Sequence, residues 1–271
     1  MTETRADLLT NLRQLLELDR GLGMEWLGKG GLTAATPGKT EALAAPLSVP
    51  VPVPTPISAP VPVVVTALPP QPAASPLLPA SDLATIAAEI ARCTACGLCS
   101  TRIKTVPGEG HATAEIVFVG EGPGADEDAQ GRPFVGKAGE LLTRMIEAMG
   151  FPRSDVYICN VVKCRPPGNR TPEPAEVAAC LGYLHRQLAA IKPKVICTLG
   201  NTPLRALMGD DTLGITRLRG QRLDYRGIPL IPTFHPAYLL RNPPAKKPCW
   251  DDLKTVLGVL GRTPPARKSE G

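Results

Sequence analysis

The distribution of proline divides this chain into a part that can build a packed core and a part that cannot. Thirteen of the 31 prolines lie between Pro37 and Pro79, in a stretch with no aromatic residue and only two charged residues. Because this stretch has few large side chains to bury, packing cannot offset the entropy that ordering would cost. We therefore predict a disordered, polyproline-like linker over residues 31–80 and a folded domain over residues 81–262.

The first thirty residues predict one amphipathic helix, assigned to residues 1–30. Its leucines recur at close to helical spacing between charged residues, at Leu8, Leu9, Leu12, Leu15, Leu16, Leu18 and Leu22. Two interpretations stay open: a terminus that self-associates or docks loosely, and a tag that docks in a groove of a protein partner. At the other end of the chain, residues 263–271 predict a disordered tail.

Four short runs rich in valine and isoleucine predict the strands of the domain, at residues 115–120, 156–162, 195–200 and 228–234. Helical patterns precede or separate them, at residues 82–91, 138–149, 174–191 and 202–207. Strands that alternate with helices indicate an α/β fold with three layers, α/β/α, around a central, mainly parallel four-stranded sheet. Such folds place their sites at the carboxyl ends of the strands.

Composition limits the class of protein. A net charge of +5 permits a polyanionic partner without requiring one. The longest apolar stretch, residues 49–68, is interrupted by prolines and could not satisfy its backbone in a membrane, so we expect no membrane segment. The N-terminus lacks a secretory signal pattern, which predicts a cytoplasmic protein. Eight cysteines in a reducing compartment favour metal ligands or core residues over disulfides.

A glycine-rich segment follows the first predicted strand. It reads Gly-Glu-Gly-Pro-Gly at residues 120–124 and continues as Gly-Arg-Pro-Phe-Val-Gly-Lys-Ala-Gly at residues 131–139. The glycine spacing is not the dinucleotide-binding fingerprint, and Lys137 is followed by alanine, which excludes a Walker loop. The segment predicts a loop whose backbone can approach a ligand closely, with Glu121 at its start and Phe134 near its far end.

The last predicted strand leads into His235. A lone histidine is more often structural, but this one sits at a strand end, and the Leu-Leu-Arg-Asn-Pro that follows shortly after supplies an apolar tip beside a cation. That arrangement suits insertion into a nucleic-acid duplex beside a phosphate. Leu240, Arg241 and Asn242 are therefore the candidate DNA-binding residues.

Together these motifs resemble a known family. The two glycine-rich pieces, the Val-Val-Lys-Cys-Arg-Pro-Pro-Gly-Asn-Arg stretch at residues 161–170, and His-Pro-Ala-Tyr-Leu-Leu-Arg-Asn-Pro at residues 235–243 are similar to the family 4 uracil-DNA glycosylases, the iron-sulfur-containing type of bacteria and archaea. The resemblance covers the C-terminal portion in order, and does not cover residues 1–80. It implies a monomeric repair enzyme that flips uracil out of single- or double-stranded DNA and hydrolyses its N-glycosidic bond, leaving an abasic site.

The resemblance also implies roles for individual residues. Asn160 would hydrogen-bond the uracil edge, and Phe134 would stack on the flipped base. Glu121 would orient the attacking water or stabilise the positive sugar, and His235 would donate a hydrogen bond to the uracil oxygen. The backbone of Gly122, Pro123 and Gly124 would bind the substrate.

Three of these roles have structural alternatives. Phe134 could be an ordinary core residue, and Asn160 could cap the loop that follows it. Glu121 could be a surface carboxylate paired with Arg132 or Arg170.

Four cysteines are implied as ligands of a [4Fe-4S] cluster: Cys93, Cys96, Cys164 and Cys180. Thiolate ligation fits iron-sulfur chemistry, although four cysteines could also hold a zinc ion in a tetrahedral site, and the residues alone leave that alternative open.

The other four cysteines have simpler interpretations. Cys99 follows the Cys-x-x-Cys pair closely enough to offer a further thiolate, and we interpret it as a spare thiol. Cys159 and Cys197 lie inside predicted strands and are expected to be small core residues. Cys249 has no partner that the sequence suggests.

Two other functions compete with uracil excision. A related branch binds uracil covalently through a histidine in an inserted basic loop, but residues 165–179 contain no histidine. A noncatalytic iron-sulfur accessory protein that binds DNA or a polymerase is the second competitor. It would not need Glu121, Asn160 and His235 together.

Overall fold

The computed structural model describes residues 82–265. The predicted N-terminal helix over residues 1–30, the predicted linker over residues 31–80 and residues 266–271 of the predicted tail lie outside the described residues, so they stay predictions. Within residues 82–265, no helix combines the length and the apolar character that crossing a membrane requires.

A single sheet forms the centre of the described domain. Its six strands have the order β1-β3-β2-β4-β6-β5, with β1 Glu109–Gly110, β2 Ile116–Gly120, β3 Tyr157–Asn160, β4 Val195–Leu199, β5 Leu223–Tyr225 and β6 Ile228–Thr233. The four central strands, β3, β2, β4 and β6, are parallel and correspond to the four predicted strands. The predicted α/β class with a mainly parallel sheet is confirmed.

The predicted number of strands was wrong, because an antiparallel strand is added at each edge of the sheet. These edge strands contain only two and three residues, too few for an alternating pattern to show in the sequence. The second edge strand, β5, is joined to β6 through Arg226 and Gly227, whose φ angles are 54° and 84°. Two consecutive positive φ angles are typical of a tight hairpin turn, and Gly227 is the residue of this pair that favours one.

Helices cover both faces of the sheet. Within residues 82–265 they are α1 Leu83–Ala91, α2 Ala125–Gln130, α3 Lys137–Ala148, α4 Pro174–Ile191, α5 Asn201–Met208, α6 Ile215–Leu218, α7 Pro236–Arg241 and α8 Lys246–Val259. The four predicted helices correspond to α1, α3, α4 and α5, each within one residue of its predicted bounds. The other four helices were not predicted.

Alternate residues of the buried strands point into two separate cores. One core packs Ile116, Phe118 and Cys197 against α3 and α8, and the other packs Val117 and Cys159 against α4 and α5. The three-layer arrangement is therefore confirmed. Both strand cysteines are completely buried, as expected for small core residues.

Candidate active site

The carboxyl ends of the four parallel strands open into one cavity of about 890 Å³, which we call the strand-end cavity. Its wall includes residues that follow each strand: Glu121 after β2, Asn160 at the end of β3, Gly200 and Asn201 after β4, and His235 after β6. The structure thus gathers the predicted site residues Glu121, Gly122, Pro123, Gly124, Phe134, Asn160, His235 and Arg241 around one space.

Asn160 lies at the floor of this cavity with an unused acceptor. The residue is 1% exposed, and its Oδ1 is buried without a hydrogen-bond partner. Gly120, its register partner on β2, leaves room for that amide, because a Cβ at Gly120 would lie 2.3 Å from Oδ1. A buried acceptor without a partner is costly, so this atom is suited to a ligand that brings a donor.

Phe134 is held beside Asn160 by an unusual backbone conformation. Its φ of 52° lies in the left-handed region, which costs a non-glycine residue about 1–2 kcal/mol. Gly139 permits the turn, because a Cβ there would lie 1.9 Å from the Phe134 carbonyl oxygen. The Phe134 ring packs into the core and also lines the strand-end cavity, with its centroid 5.6 Å from that of His235. Phe134 therefore belongs to the core and also borders the cavity, and its role in stacking on a base stays a prediction.

Glu127, which the sequence analysis did not single out, joins two walls of the cavity. Its Oε2 accepts a hydrogen bond from the Gly124 amide at 3.0 Å, and its Oε1 accepts one from the Val135 amide at 3.0 Å. The first bond follows the spacing of a capping box, a glutamate three residues after the N-cap of α2. We call this pair of bonds the Glu127 clamp.

Glu121 is held by a hydroxyl and not by an arginine. The Thr202 hydroxyl, near the start of α5, donates to Glu121 Oε2 at 2.5 Å. Arg132 and Arg170 are each paired with other glutamates, at 2.8 and 2.6 Å. The alternative that Glu121 pairs with one of these arginines is therefore wrong. Thr202 was also missed, although a hydroxyl residue so soon after a strand end could have been inspected.

His235 is held in one tautomer. Its Nδ1 accepts a hydrogen bond from the Ala237 amide at 3.1 Å and so caps α7. With Nδ1 acting as acceptor, the proton of the neutral ring lies on Nε2. Burial, and then the positive charge of Arg241, lower the pKa of His235 to about 4. The histidine is therefore neutral at pH 7, with an N–H donor available to the cavity.

The predicted DNA-binding tip has a different arrangement from the one expected. Leu240 is partly buried and packs against the core, Arg241 is exposed on the cavity wall, and Asn242 donates to the Tyr238 hydroxyl at 2.6 Å. Tyr238 lines the cavity and is 39% exposed. Of the apolar residues on α7, Tyr238 is thus better placed than Leu240 to meet a nucleic acid.

A second, smaller cavity lies between α1, the segment after β3, and α4. Five cysteines line it, and we call it the cysteine cavity: Cys93, Cys96, Cys99, Cys164 and Cys180. Two cations also line it, and the Arg102 guanidinium donates to Cys164 Sγ at 3.3 Å. Cys99, interpreted from sequence as a spare thiol, lies at the same cavity.

The donor set of the cysteine cavity fits a thiolate-bound metal centre. Five thiols surround one space, and the neighbouring cations suit the negative charge that metal-bound thiolates carry. Within residues 82–265, no group of three or more histidine, cysteine, aspartate or glutamate residues is arranged to hold a single metal ion.

Comparison with known proteins agrees with this fold and identifies its family. The sequence model of the Uracil DNA glycosylase superfamily matches residues 107–254. A type-4 uracil-DNA glycosylase of Thermotoga maritima is 52% identical over 158 residues, which cover 58% of this chain and 82% of that protein. The corresponding protein of Sulfurisphaera tokodaii is 47% identical over 183 residues, which cover 65% of this chain and 83% of that protein.

The sequence identities also distinguish between the types of uracil-DNA glycosylase within the superfamily. A type-5 uracil-DNA glycosylase of Pyrobaculum aerophilum is 31% identical over 157 residues, 51% of this chain and 68% of that protein. This identity is well below that of the type-4 proteins. The chain belongs to the type-4 uracil-DNA glycosylases.

Proposed function

We propose that this chain repairs deaminated cytosine by excising uracil from DNA. It binds a uracil nucleotide flipped out of the strand, hydrolyses the N-glycosidic bond and leaves an abasic site. The observation that carries this proposal is the unused acceptor of Asn160 on the floor of a cavity that also contains Phe134 and a neutral His235.

Base recognition follows from the amide of Asn160. Uracil presents an N3–H donor beside the O4 acceptor, so Asn160 Oδ1 would accept from N3–H while Nδ2 donates to O4. Cytosine presents the opposite pattern and would leave both groups of the amide unpaired. The Phe134 ring would stack on the base, and the loop at Gly122, Pro123 and Gly124 would contact it through the backbone.

His235 would assist bond cleavage without transferring a proton. As the glycosidic bond breaks, negative charge accumulates on the uracil ring and its oxygens. The Nε2–H of a neutral histidine then makes a hydrogen bond that strengthens in the transition state. The low pKa of His235 favours this role over that of a general acid.

Glu121 would act on the sugar side of the bond. A carboxylate at the start of the loop either orients the attacking water or stabilises the positive sugar, and both roles need a fixed orientation. The hydrogen bond from Thr202 to Glu121 Oε2 supplies one. Arg241 and Arg205, on the wall of the strand-end cavity, would face the phosphates of the bound strand.

In the cysteine cavity, Cys93, Cys96, Cys164 and Cys180 would hold a [4Fe-4S] cluster, with Cys99 as the spare thiol. A cluster there supplies a cross-link between the segment before the sheet, the segment after β3 and α4, and therefore contributes to folding. Thiolate ligands and a DNA substrate both fit the cytoplasm. The monomeric state and a protein partner for the N-terminal helix remain predictions.

A gel assay tests the proposed function. Purified full-length protein would be incubated with oligonucleotides that contain one uracil, or thymine at the same position, and then treated with alkali to cleave abasic sites. We expect cleavage only at uracil and only after alkali, because neither Glu121 nor His235, the residues proposed to act at the glycosidic bond, is an amine that could form a Schiff base and drive strand scission. A noncatalytic DNA-binding protein would bind the uracil strand and yield no abasic site.

Asn160→Asp serves as the matched variant in this assay. We expect it to slow uracil release and to weaken discrimination between uracil and cytosine, because the carboxylate lacks the donor of the amide. Unchanged discrimination in this variant would remove Asn160 from base recognition.

A further inference from the structure

Lys163 is a fully buried charge that the proposed chemistry does not use. It is 1% exposed, and within residues 82–265 it forms no ion pair with a carboxylate. Burying an ammonium group without a compensating charge costs several kcal/mol. Its position therefore needs a physical explanation.

The ammonium group holds the end of β3. Lys163 Nζ donates to the backbone carbonyl of Asn160 at 2.7 Å and to Gln187 Oε1 on α4 at 2.7 Å. The Gln187 amide in turn donates to the Pro107 carbonyl at 2.7 Å and to the Tyr157 hydroxyl at 3.3 Å. Tyr157 and Asn160 are the first and last residues of β3, so this buried network fixes the strand that carries the base-reading amide.

The same residue borders the cysteine cavity. Lys163 lines it, its backbone N–H donates to Cys180 Sγ at 3.3 Å, and the next residue is Cys164. Thiolates that bind a metal centre carry negative charge. Lys163 thus contacts the cysteine cavity through its backbone N–H, its ammonium group is close enough to Cys180 to interact with it electrostatically, and the same ammonium group binds the Asn160 carbonyl.

We propose that Lys163 is a positioning residue that couples the group bound in the cysteine cavity to base recognition. Its ammonium is the buried countercharge of the thiolate-bound group, and its bond to the Asn160 carbonyl sets the position at which the Asn160 amide meets uracil. The inference rests on the proposed function, because it assumes that Asn160 reads the base. The countercharge should affect how well the protein retains bound iron. The bond to the Asn160 carbonyl should affect the selectivity for uracil over cytosine.

Two substitutions of Lys163 separate the countercharge from the hydrogen bond to the Asn160 carbonyl. Lys163→Met keeps the length of the side chain and removes both the charge and the hydrogen bonds. Lys163→Gln removes the charge but keeps an N–H donor for the Asn160 carbonyl. Lys194→Met is the control, because Lys194 is 66% exposed, pairs with Glu115 and lines neither cavity.

The experiment uses full-length iron-loaded protein and two readouts. One is the rate at which an iron chelator bleaches the visible absorbance, and the other is the ratio of single-turnover rates on uracil-containing and cytosine-containing oligonucleotides. Because the charged hydrogen bond that positions Asn160 is lost, Lys163→Met should lower the uracil rate and the ratio roughly tenfold to a hundredfold. We expect this variant also to bleach faster.

The remaining variants sharpen the test. Lys163→Gln should bleach faster than wild type but recover most of the selectivity, and Lys194→Met should match wild type in both readouts. If Lys163→Met does not fold, Lys163→Gln still tests the countercharge. If Lys163→Gln bleaches at the wild-type rate, Lys163 is not the countercharge. Faster bleaching with unchanged selectivity in Lys163→Met overturns the coupling to Asn160. If the wild-type protein releases no uracil, the proposed function fails, whereas the bleaching rates still test the countercharge.

Discussion

The strand-end cavity and the cysteine cavity both take residues from β3 or the segment just after it, but they are built in different ways. The strand-end cavity is lined by residues that follow four parallel strands, is open, and contains a buried acceptor without a partner. The cysteine cavity is lined by segments outside the sheet and has apolar walls with cations beside its thiols. The strand-end cavity is formed by the parallel sheet, whereas the cysteine cavity is formed by segments outside the sheet. Substitutions at the strand-end cavity should therefore affect catalysis, and substitutions at the cysteine cavity should affect stability.

The largest effect is expected at the cysteine cavity. Cys164→Ala or Cys180→Ala should remove the brown colour and most of the soluble protein, because the proposed cluster would contribute to folding. Cys99→Ala, the matched control at the same cavity, should leave both nearly intact. Visible absorbance and soluble yield are the measurements, and bleaching by Cys99→Ala but not by Cys180→Ala would show that the ligand set is wrong.

At the strand-end cavity, a substitution should remove chemistry and leave the fold. His235→Ala should lower kcat by roughly 10² to 10³ with little change in DNA affinity, because the lost hydrogen bond matters most in the transition state. The absorbance of the cluster should be unchanged. Single-turnover rates and DNA binding measured on the same preparation test this, and a variant with the wild-type rate excludes the histidine from the mechanism.

Changing the pH should have a smaller effect than these substitutions. It should also affect the single-turnover rate and the free energy of unfolding differently. With a pKa of about 4, His235 stays neutral from pH 5 to 8, so it should cause no loss of the single-turnover rate near pH 6.5. A step in the rate at pH 6.5 that disappears in His235→Ala would contradict the neutral assignment.

His235 and His185 should make the protein less stable as the pH falls from about 6.5 to about 4. The folded pKa of His235 and that of His185 are both lowered from 6.5 to about 4, so the unfolded chain binds more protons between these values. The free energy of unfolding that they contribute therefore falls as pH falls through that window. Asp252, whose pKa burial raises from 3.8 to about 6, acts in the opposite direction. Denaturant titrations at pH 7 and pH 5 measure the net effect.

The smallest expected effect is that of removing residues 1–80. The predicted site residues and the predicted cluster ligands all lie within residues 82–265, where most of them line the two cavities. A protein that starts near Ser81 should therefore excise uracil from short oligonucleotides at the full-length rate. A truncated protein that folds and retains its absorbance but has lost activity would place part of the active site in the N-terminal segment.

The sequence predicted the centre of the fold better than its edges. The four central strands are buried on both faces, and such strands appear as continuous valine-rich and isoleucine-rich runs. Helix α8 was missed although Cys249, Leu253, Val256 and Leu257 recur at helical spacing and are buried, so this signal could have been used. Helix α2, with the sequence Ala-Asp-Glu-Asp-Ala-Gln, has no apolar periodicity to detect.

The location of the site was predictable, whereas the contacts that position its residues were not. Parallel strands bring their carboxyl ends together, which is why Glu121, Asn160 and His235 could be expected in one place. Thr202 and Glu127 bind residues 81 and 8 positions away in the chain, and although their own positions could have drawn attention, no local pattern reveals which partners they bind. The four predicted ligand cysteines came from the family resemblance, because their spacing alone does not distinguish them from the other four cysteines.

The Glu127 clamp has a consequence for how the strand-end cavity opens. One carboxylate holds the amides of Gly124 and Val135, which belong to two segments that border the cavity. When one amide leaves its carboxylate oxygen, the Glu127 side chain is held only by the other segment and is less well fixed, so we expect the two segments to open in a single local unfolding event. The two amide protons should then exchange with deuterium at similar rates, and Glu127→Ala should speed both together.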